Sequence, residues 1–386
     1  MDRAMRSAWF GSGIARGIAE RDRISTAIFF LTDSCNAKCP FCFDTFLPHL
    51  RKAGTKVDKD VLTVEDYRKI AVNMPHMFQV MFGGGEPFLR KEIDEIAAVF
   101  HDHSRMRLLS IPTNGSLPDR VMQKVTKMAE RCRRATLNIE VSIDAFGEKH
   151  DRLRVLPGGF KKAIGLAHEL RRLGDEMGNV NLVINTTVSE HNIDDVVELT
   201  EFLADEFSGT LRYHNIQYDH RLGAKVMQDP ELISKVEQLE SLELHNKAGG
   251  NDAFADLMQR GYIGFINSLV LHQILEDRMI YDCNAGRKLC VVMANGRVGA
   301  CEPFIFEEPY ENFTQFNLRD HDFDISQITA LPEFKEQLQF IKNKSCESCP
   351  WSCAAITSMT FDPVNWRLVA TVPPAIESLR RRLSLA

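Results

Sequence analysis

Ser25-Thr26-Ala27-Ile28-Phe29-Phe30-Leu31-Thr32-Asp33-Ser34-Cys35-Asn36-Ala37-Lys38-Cys39-Pro40-Phe41-Cys42 runs from an apolar β-rich segment straight into a loop that carries three thiols. Ser25–Thr32 reads as a strand, so Cys35, Cys39 and Cys42 fall at its C-terminal end, the edge where parallel α/β folds bind ligands. Outward from this stretch, strand-like runs recur at Met77–Gly83, Met106–Pro112, Ala135–Ile143, Val180–Val188 and Leu211–Gln217. Between them Thr63–Asn73, Arg90–His103, Pro118–Arg131, Phe160–Leu173 and Asn192–Phe207 carry apolar residues at helical steps, and Thr63 and Pro118-Asp119 supply helix-start chemistry. Six consecutive βα units follow, two short of a closed eight-stranded barrel. An open six-stranded barrel and a doubly wound sheet are the two α/β geometries to weigh, and residues 24–220 form the unit that contains them.

The 386 residues exceed one ordinary domain of ~100–200 residues. Residues 221–282 change character: Pro230–Leu244 and Ala253–Leu275 are helical patterns parted by Ala248-Gly249-Gly250-Asn251, which makes this a connector. From residue 283 to 386 the chain is loop-rich, with a hairpin over Val291–Val298 turned by Asn295-Gly296 and a helix candidate in the tail from Ala354 that carries Arg380-Arg381-Arg382. With 44% hydrophobic and 26% charged residues the chain can bury a large core, so disorder is not its main state. No apolar run approaches the ~18 residues of a bilayer span, and Arg16 and Glu20-Arg21-Asp22-Arg23 interrupt any export signal. The expectation is a cytoplasmic protein without a membrane span. A net charge of −6 removes the simple electrostatic case for a nucleic-acid surface.

Ten cysteines in a reducing compartment point to metal or redox chemistry rather than disulfides. They cluster: Cys35, Cys39 and Cys42; Cys283, Cys290 and Cys301; Cys346, Cys349 and Cys353. Only Cys132, on a helix, stands alone and reads as an inert thiol. For the first group, zinc is the structural alternative, but closed zinc sites take four ligands. A cubane iron–sulfur cluster held by three cysteines leaves one iron open to chelation.

The spacing C-x3-C-x-aromatic-C, with Phe41 before the last cysteine, resembles the signature of the radical S-adenosylmethionine (radical SAM) superfamily. Gly83-Gly84-Gly85-Glu86-Pro87 after the second strand is similar to that family's GGE motif, Thr113-Asn114-Gly115 after the third to its TNG element, and Ser142-Ile143-Asp144 after the fourth to its Ser-x-Asp segment. The resemblance covers about half of the chain and implies a partial (β/α)6 barrel. It implies a [4Fe–4S] cluster on Cys35, Cys39 and Cys42 that binds SAM, and an external electron donor of flavodoxin or ferredoxin type. In the family an electron from the reduced cluster cleaves SAM to methionine and a 5′-deoxyadenosyl radical. Carried over by motif, SAM would contact Phe41, Gly84, Gly85, Glu86, Asn114, Ser142 and Asp144, with Arg154 as candidate partner of its carboxylate.

The C-terminal cysteines resemble the SPASM/twitch extension of the same superfamily, where a hairpin with Gly-x4-Cys, here Gly296 to Cys301, and a short terminal helix hold auxiliary clusters. Six cysteines and a C-x2-C-x3-C terminal run favour one auxiliary [4Fe–4S] cluster over two. Cys283, Cys301, Cys346 and Cys349 are the first ligand set, with Cys290 and Cys353 as alternates; a purely stabilising metal is the plain alternative. Tyr218 and Asp219, after the last strand, are candidates for a base in an oxidation. Members with auxiliary clusters often carry out two-electron oxidations of small molecules or peptides. The 34 residues before Cys35 are too few for the winged-helix unit that many peptide-modifying members use, which favours a small polar metabolite such as a sugar or cyclitol over a peptide. A non-catalytic iron–sulfur electron-transfer protein is the reading from another class.

Overall fold

The computed structural model describes residues 3–42, 60–207, 213–218, 253–306, 313–343, 346 and 349–371, and part of 231–239. In chain order these hold α1 (Arg3–Ala19), β1 (Thr26–Thr32), α2 (Val64–Asn73), β2 (Gln79–Gly84), α3 (Ile93–Val99), β3 (Leu108–Thr113), α4 (Pro118–Arg131), β4 (Thr136–Ser142), α5 (Gly147–Arg154), α6 (Gly159–Met177), β5 (Val180–Val188), α7 (Val196–Glu206), β6 (Tyr213–Tyr218), α8 (Ala253–Glu276), β7 (Leu289–Val292), β8 (Arg297–Gly299), α9 (Pro303–Phe306), β9 (Phe316–Asn317), α10 (Ile325–Ala330), α11 (Pro332–Lys342), α12 (Ser352–Phe361) and α13 (Arg367–Thr371).

The sheet order is β6-β5-β4-β3-β2-β1-β7-β8-β9. From β1 to β6 each strand pairs in parallel with the next, with no reversal of order. A doubly wound sheet needs such a reversal, so the sequential order selects the partial barrel. β7 then pairs in parallel with the free side of β1, and β8 and β9 continue antiparallel. The hairpin between Cys283 and Cys301 therefore extends the same sheet. The Asn-Gly turn forms between β7 and β8: Gly296 has φ +89°, and Met293 N donates to Arg297 O at 2.8 Å.

Alternation along each strand divides the sheet into two faces. Phe29, Val80, Leu109, Leu137 and Leu182 lie on one, packed with Ile70, Ile96, Val125, Leu170 and Leu203 from α2, α3, α4, α6 and α7. Each fully buried Leu or Phe contributes about 1.5–3 kcal/mol, so this helix-covered layer supplies the main stabilisation and leaves the inner face free for polar residues. At the β1–β7 end the inner face is covered by a later element, where Ile28, Phe30 and Val291 meet Ala354 of α12; at the other end Ile216 of β6, on the same face as Ile184, meets Leu269 and Val270 of α8.

Two differences from the sequence reading have local causes. The expected helix over Arg90–His103 is α3 followed by a π-helical turn over Phe100–Ser104, closed by Arg105 at φ +50°. α1 has no counterpart in that reading because Gly11, Gly13 and Gly17 lower its intrinsic propensity; tertiary contacts hold it instead. A Cβ on Gly17 would lie 2.4 Å from the Phe361 ring, and the Arg107 guanidinium stacks 4.2 Å from the Trp9 ring centroid. The buried Lys288 ammonium, just before β7, donates to Gly17 O at 2.6 Å and to Glu20 O, which caps the C-terminus of α1. Replacing Lys288→Met leaves those carbonyls without their charged donor; urea titration is expected to show a loss of about 2 kcal/mol, and an unchanged midpoint would contradict the role.

Candidate functional site

The site is assembled from the loops that follow β1 to β4. Backbone bonds join the first two: Gly85 N donates to Thr32 O and Glu86 N to Ser34 O, both at 2.9 Å. The approach requires glycine. Gly84 has φ +116°, and a Cβ there would stand 2.2 Å from Thr32 O; one on Gly85 would stand 2.2 Å from Ser34 O and 2.9 Å from Cys35 Cβ. The glycines thus seat the β2 loop on the backbone of the cysteine loop.

Glu86 is buried and ties in the third loop. Its Oε1 accepts from Thr113 Oγ1 at 2.9 Å and Phe88 N at 3.2 Å, and its Oε2 accepts from Asn114 N at 2.8 Å. Burial pushes this carboxyl up, while those three donors pull it back. Asn114 Nδ2 donates to Asn36 Oδ1, and Asn36 Nδ2 to Ser116 Oγ, each at 2.8 Å, so the β3 loop grips the cysteine loop from its other side. Asn36 and Ser116 escaped the sequence reading, although Asn36 lies between the first two cysteines.

At the end of β4, Ser142 is on the inner face as expected, but Asp144 and Arg154 are paired with each other. Arg154 Nε donates to Asp144 Oδ2 at 2.6 Å, and Thr187 N donates to Asp144 Oδ1 at 2.9 Å. Both side chains are buried, where neither charge is tolerated alone. The guanidinium also lies 5.8 Å from the Phe41 ring centroid, and Lys38 N donates to Arg154 O at 3.1 Å. Burial alone would depress the guanidinium, but Asp144 and Cys39 beside it outweigh that. His150, also missed from sequence, accepts through Nδ1 from Asp144 N at 3.2 Å. Burial lowers this imidazole to about 4.

Of the three thiols on the β1 loop, Cys35 is exposed, Cys42 half-buried and Cys39 buried. Burial pushes the Cys39 thiol up, Arg154 draws it down, and Cys35 lies near enough to raise it. Elsewhere, Cys283, Cys301, Cys346, Cys349 and Cys353 form a second group. Burial and neighbouring thiols raise Cys283 to about 11, and raise Cys301, Cys349 and Cys353 further. Glu302 lies among them, with Cys353 Sγ 3.4 Å from its Oε1. Cys290 does not join them. It sits on β7 with its side chain on the helix-covered face, while Cys349 and Cys353 pack on the opposite face with Leu289 and Val291; burial alone raises its thiol. Cys132 is buried at the end of α4, its thiol pushed up to about 12. Tyr218 ends β6 but its side chain, like the whole of Asp219, lies outside the described residues.

Thiols of either group would bind a cationic cluster as thiolates. Among the described residues no three His, Cys, Asp or Glu side chains close around a single-ion position, which is what a mononuclear zinc site asks. A cubane sets its cysteines on different irons, so they need not converge on one point.

Two outcomes test this geometry. Gly85→Ala forces a Cβ onto Ser34 O and Cys35 and is expected to lower the iron bound per reconstituted chain by more than half; full iron retention would show that the loop contact tolerates displacement. For His150 the unfolded chain takes up a proton near pH 6.5 that the folded chain refuses until about 4. The unfolded state therefore binds more protons in that window, and stability falls by about 3 kcal/mol as pH drops through it, with Asp144, Asp151 and Arg154 facing the ring. In denaturant titrations His150→Asn should flatten that slope, whereas a slope equal to wild type would assign it to other groups.

The description "Radical SAM superfamily" belongs to the family profile that matches residues 29–203. Among curated proteins the chain is 24% identical over 215 residues to the Fe-coproporphyrin III synthase of Methanosarcina barkeri, covering 55% of this chain and 49% of that one. It is 27% identical over 167 residues to a GTP 3′,8-cyclase of Klebsiella pneumoniae, covering 42% and 47%. The chain spans about half the length of the curated relatives it matches. Among solved structures, Streptococcus suis SuiB bound to S-adenosylmethionine superposes with a TM-score of 0.55 at 15% identity, over 84% of this chain and 70% of that one. The protein anSMEcpe with bound AdoMet gives 0.55 at 15% identity, over 92% and 98%, and both share the fold. The cysteine loop, its glycine seat and this match agree: the chain carries a domain of the radical SAM superfamily over residues 29–203, with SAM and a [4Fe–4S] cluster as the cofactors that the family implies.

Proposed function

We propose that the chain is a radical SAM enzyme that carries one auxiliary [4Fe–4S] cluster and oxidises a small polar metabolite, such as a sugar or cyclitol, by two electrons. The observation that supports it most is the bonding of the β1, β2 and β3 loops into one unit around Cys35, Cys39 and Cys42. With both groups bound, SAM and its cluster supply a carbon radical that abstracts hydrogen, and an auxiliary cluster supplies a second one-electron step.

The residues of this chain have defined tasks in that reading. Cys35, Cys39 and Cys42 hold the first cluster, and Gly84, Gly85 and Glu86 fix the loop beside it. Glu86 accepts from Thr113, Asn114 and Phe88 and so orders the wall of the site, which leaves about one of its roughly four lone pairs open to an ammonium. Arg154 joins Asp144 to the cysteine loop, with Phe41 against it. Ser142 is the inner-face hydroxyl at the rim of β4. Cys283, Cys301, Cys346, Cys349 and Cys353 exceed a four-cysteine set by one, and Cys353 is the thiol engaged with Glu302. A flavodoxin- or ferredoxin-type donor would deliver the electron.

A second reading, peptide modification, has its own support. The solved relatives include SuiB bound to the precursor peptide SuiA and anSMEcpe with a Cp18Cys peptide, at TM-scores of 0.54 and 0.51.

Anaerobic reconstitution with dithionite and SAM is expected to yield 5′-deoxyadenosine by chromatography, and Cys39→Ala should abolish it. No product from a reduced, iron-loaded wild-type chain would refute the radical reading. Iron analysis of the Cys35/Cys39/Cys42 triple-alanine variant should leave about four irons per chain; near zero would remove the auxiliary cluster, and about eight would require two.

A further inference from the structure

The inner face of β4 is polar where a filled barrel would be apolar, and Ser110 of β3 and Asn181 and Asn185 of β5 border it. Leu137, Ile139 and Val141 of β4 point to the helices, which leaves Asn138, Glu140 and Ser142 pointing inward; on β5 the inward residues include Asn181 and Asn185. Asn138, Glu140, Asn181 and Asn185 are half-buried, so this face is reachable rather than packed shut. The side chains are already organised. Asn185 Nδ2 donates to Glu140 Oε2 at 2.9 Å, Asn181 Nδ2 to Asn138 Oδ1 at 3.1 Å, and Gln79 Nε2 to Ser110 Oγ at 3.2 Å, while Ser110 reaches Glu140 as well. Glu140 stands two residues before Ser142 on the same face, about 7 Å deeper in the barrel than the rim where SAM is expected.

Charge is one-sided here. The inward positions of β1 to β5 hold no lysine or arginine, and only hydrogen bonds from Asn185 and Ser110 offset the burial of the Glu140 carboxyl. Among the described residues Asn185 Oδ1 has no hydrogen-bond partner. A strand face with a carboxyl and a spare amide oxygen, and no lysine or arginine at its own positions, accepts hydrogen bonds and disfavours anions.

We infer that Glu140 and Asn185, backed by Asn138, Asn181 and Ser110, form the substrate-binding belt of this protein. Its ligand is a donor-rich small molecule, neutral or cationic, whose hydroxyl or amino groups bond to Glu140, and phosphorylated compounds and nucleotides are rejected. The inference rests on the small-metabolite reading above and adds what selects the substrate. It also separates this chain from its nucleotide-cyclising relatives by chemistry, since a triphosphate would meet a carboxylate and, at the inward positions of β1 to β5, no lysine or arginine.

Calorimetry on the intact, anaerobically reconstituted chain with SAM present tests it, using glucosamine, myo-inositol, glucosamine 6-phosphate and GTP as probes. Glucosamine or myo-inositol is expected to bind, and the two phosphorylated probes to bind at least tenfold more weakly. Glu140→Gln, which keeps an oxygen for Asn185, should weaken the bound probe at least tenfold while iron content and thermal midpoint stay at wild-type values. Phosphorylated probes that bind as tightly, no binding by any probe, or an unchanged affinity in a folded Glu140→Gln would each overturn the belt. Should that variant not fold, the order of probe affinities decides alone. Formation of 5′-deoxyadenosine by wild type without any probe is measured separately: its absence counts against the radical reading, whereas the calorimetry counts for or against the belt.

Discussion

The contact on which the site depends is backbone to backbone. Thr32 and Ser34 carbonyls accept from Gly85 and Glu86 amides at 2.9 Å, and no residue with a Cβ fits at Gly84 or Gly85 without meeting those carbonyls. Through this seam the thiol loop, itself poor in regular structure, borrows the rigidity of β1 and β2. Glu86 then carries the constraint to the β3 loop through Thr113 and Asn114, and Asn114 returns it to Asn36 between the first two cysteines. Positioning reactive groups on loops whose ends are clamped by a sheet is how a parallel α/β edge combines close approach with order.

The same sheet separates stability from chemistry. Its outer face is sealed by helices, with α8 against Ile216 at the β6 end, and its inner face holds polar side chains along β4 and apolar ones at β1 and β7, where α12 packs. β7 is the link between the two cysteine groups: it pairs with β1, and its inward residues touch Cys349 and Cys353 together with Ile28 and Phe30 of β1. Residues that serve the first thiol group and residues that hold the second therefore share one strand pair. A redox centre so placed would lie against the barrel wall rather than on a remote appendage.

Much of this was legible in the sequence. Strand starts and ends agree to within two residues because the apolar runs are bounded by turn residues, and the sequential parallel order follows from the alternation of strands and helices. The thiol loop and the Gly-Gly-Glu segment were legible because three thiols within eight residues, followed one strand later by consecutive glycines and a carboxylate, serve neither core packing nor a closed zinc site. Pairings between distant residues were not: nothing in the chain announces that Arg154 would neutralise Asp144, or that Cys290 would turn to the face opposite Cys349 and Cys353. Glu140 did leave a signal. A strand buried between helices on one side and a packed barrel on the other should be apolar throughout, yet Thr136-Leu137-Asn138-Ile139-Glu140-Val141-Ser142 alternates strictly, which marks an open, polar interior. α1 left a weaker one, because its glycines belong to tertiary packing and lower its local propensity.

All of this chemistry requires that Cys35, Cys39 and Cys42 hold a cluster with one iron open to SAM. Electron paramagnetic resonance of the dithionite-reduced chain, recorded with and without SAM, tests that requirement without recourse to product. SAM is expected to change the g-values of one reduced [4Fe–4S] signal, and this signal should be missing from the Cys35/Cys39/Cys42 triple-alanine variant. A spectrum indifferent to SAM, or a SAM-sensitive signal that survives in the variant, would contradict it.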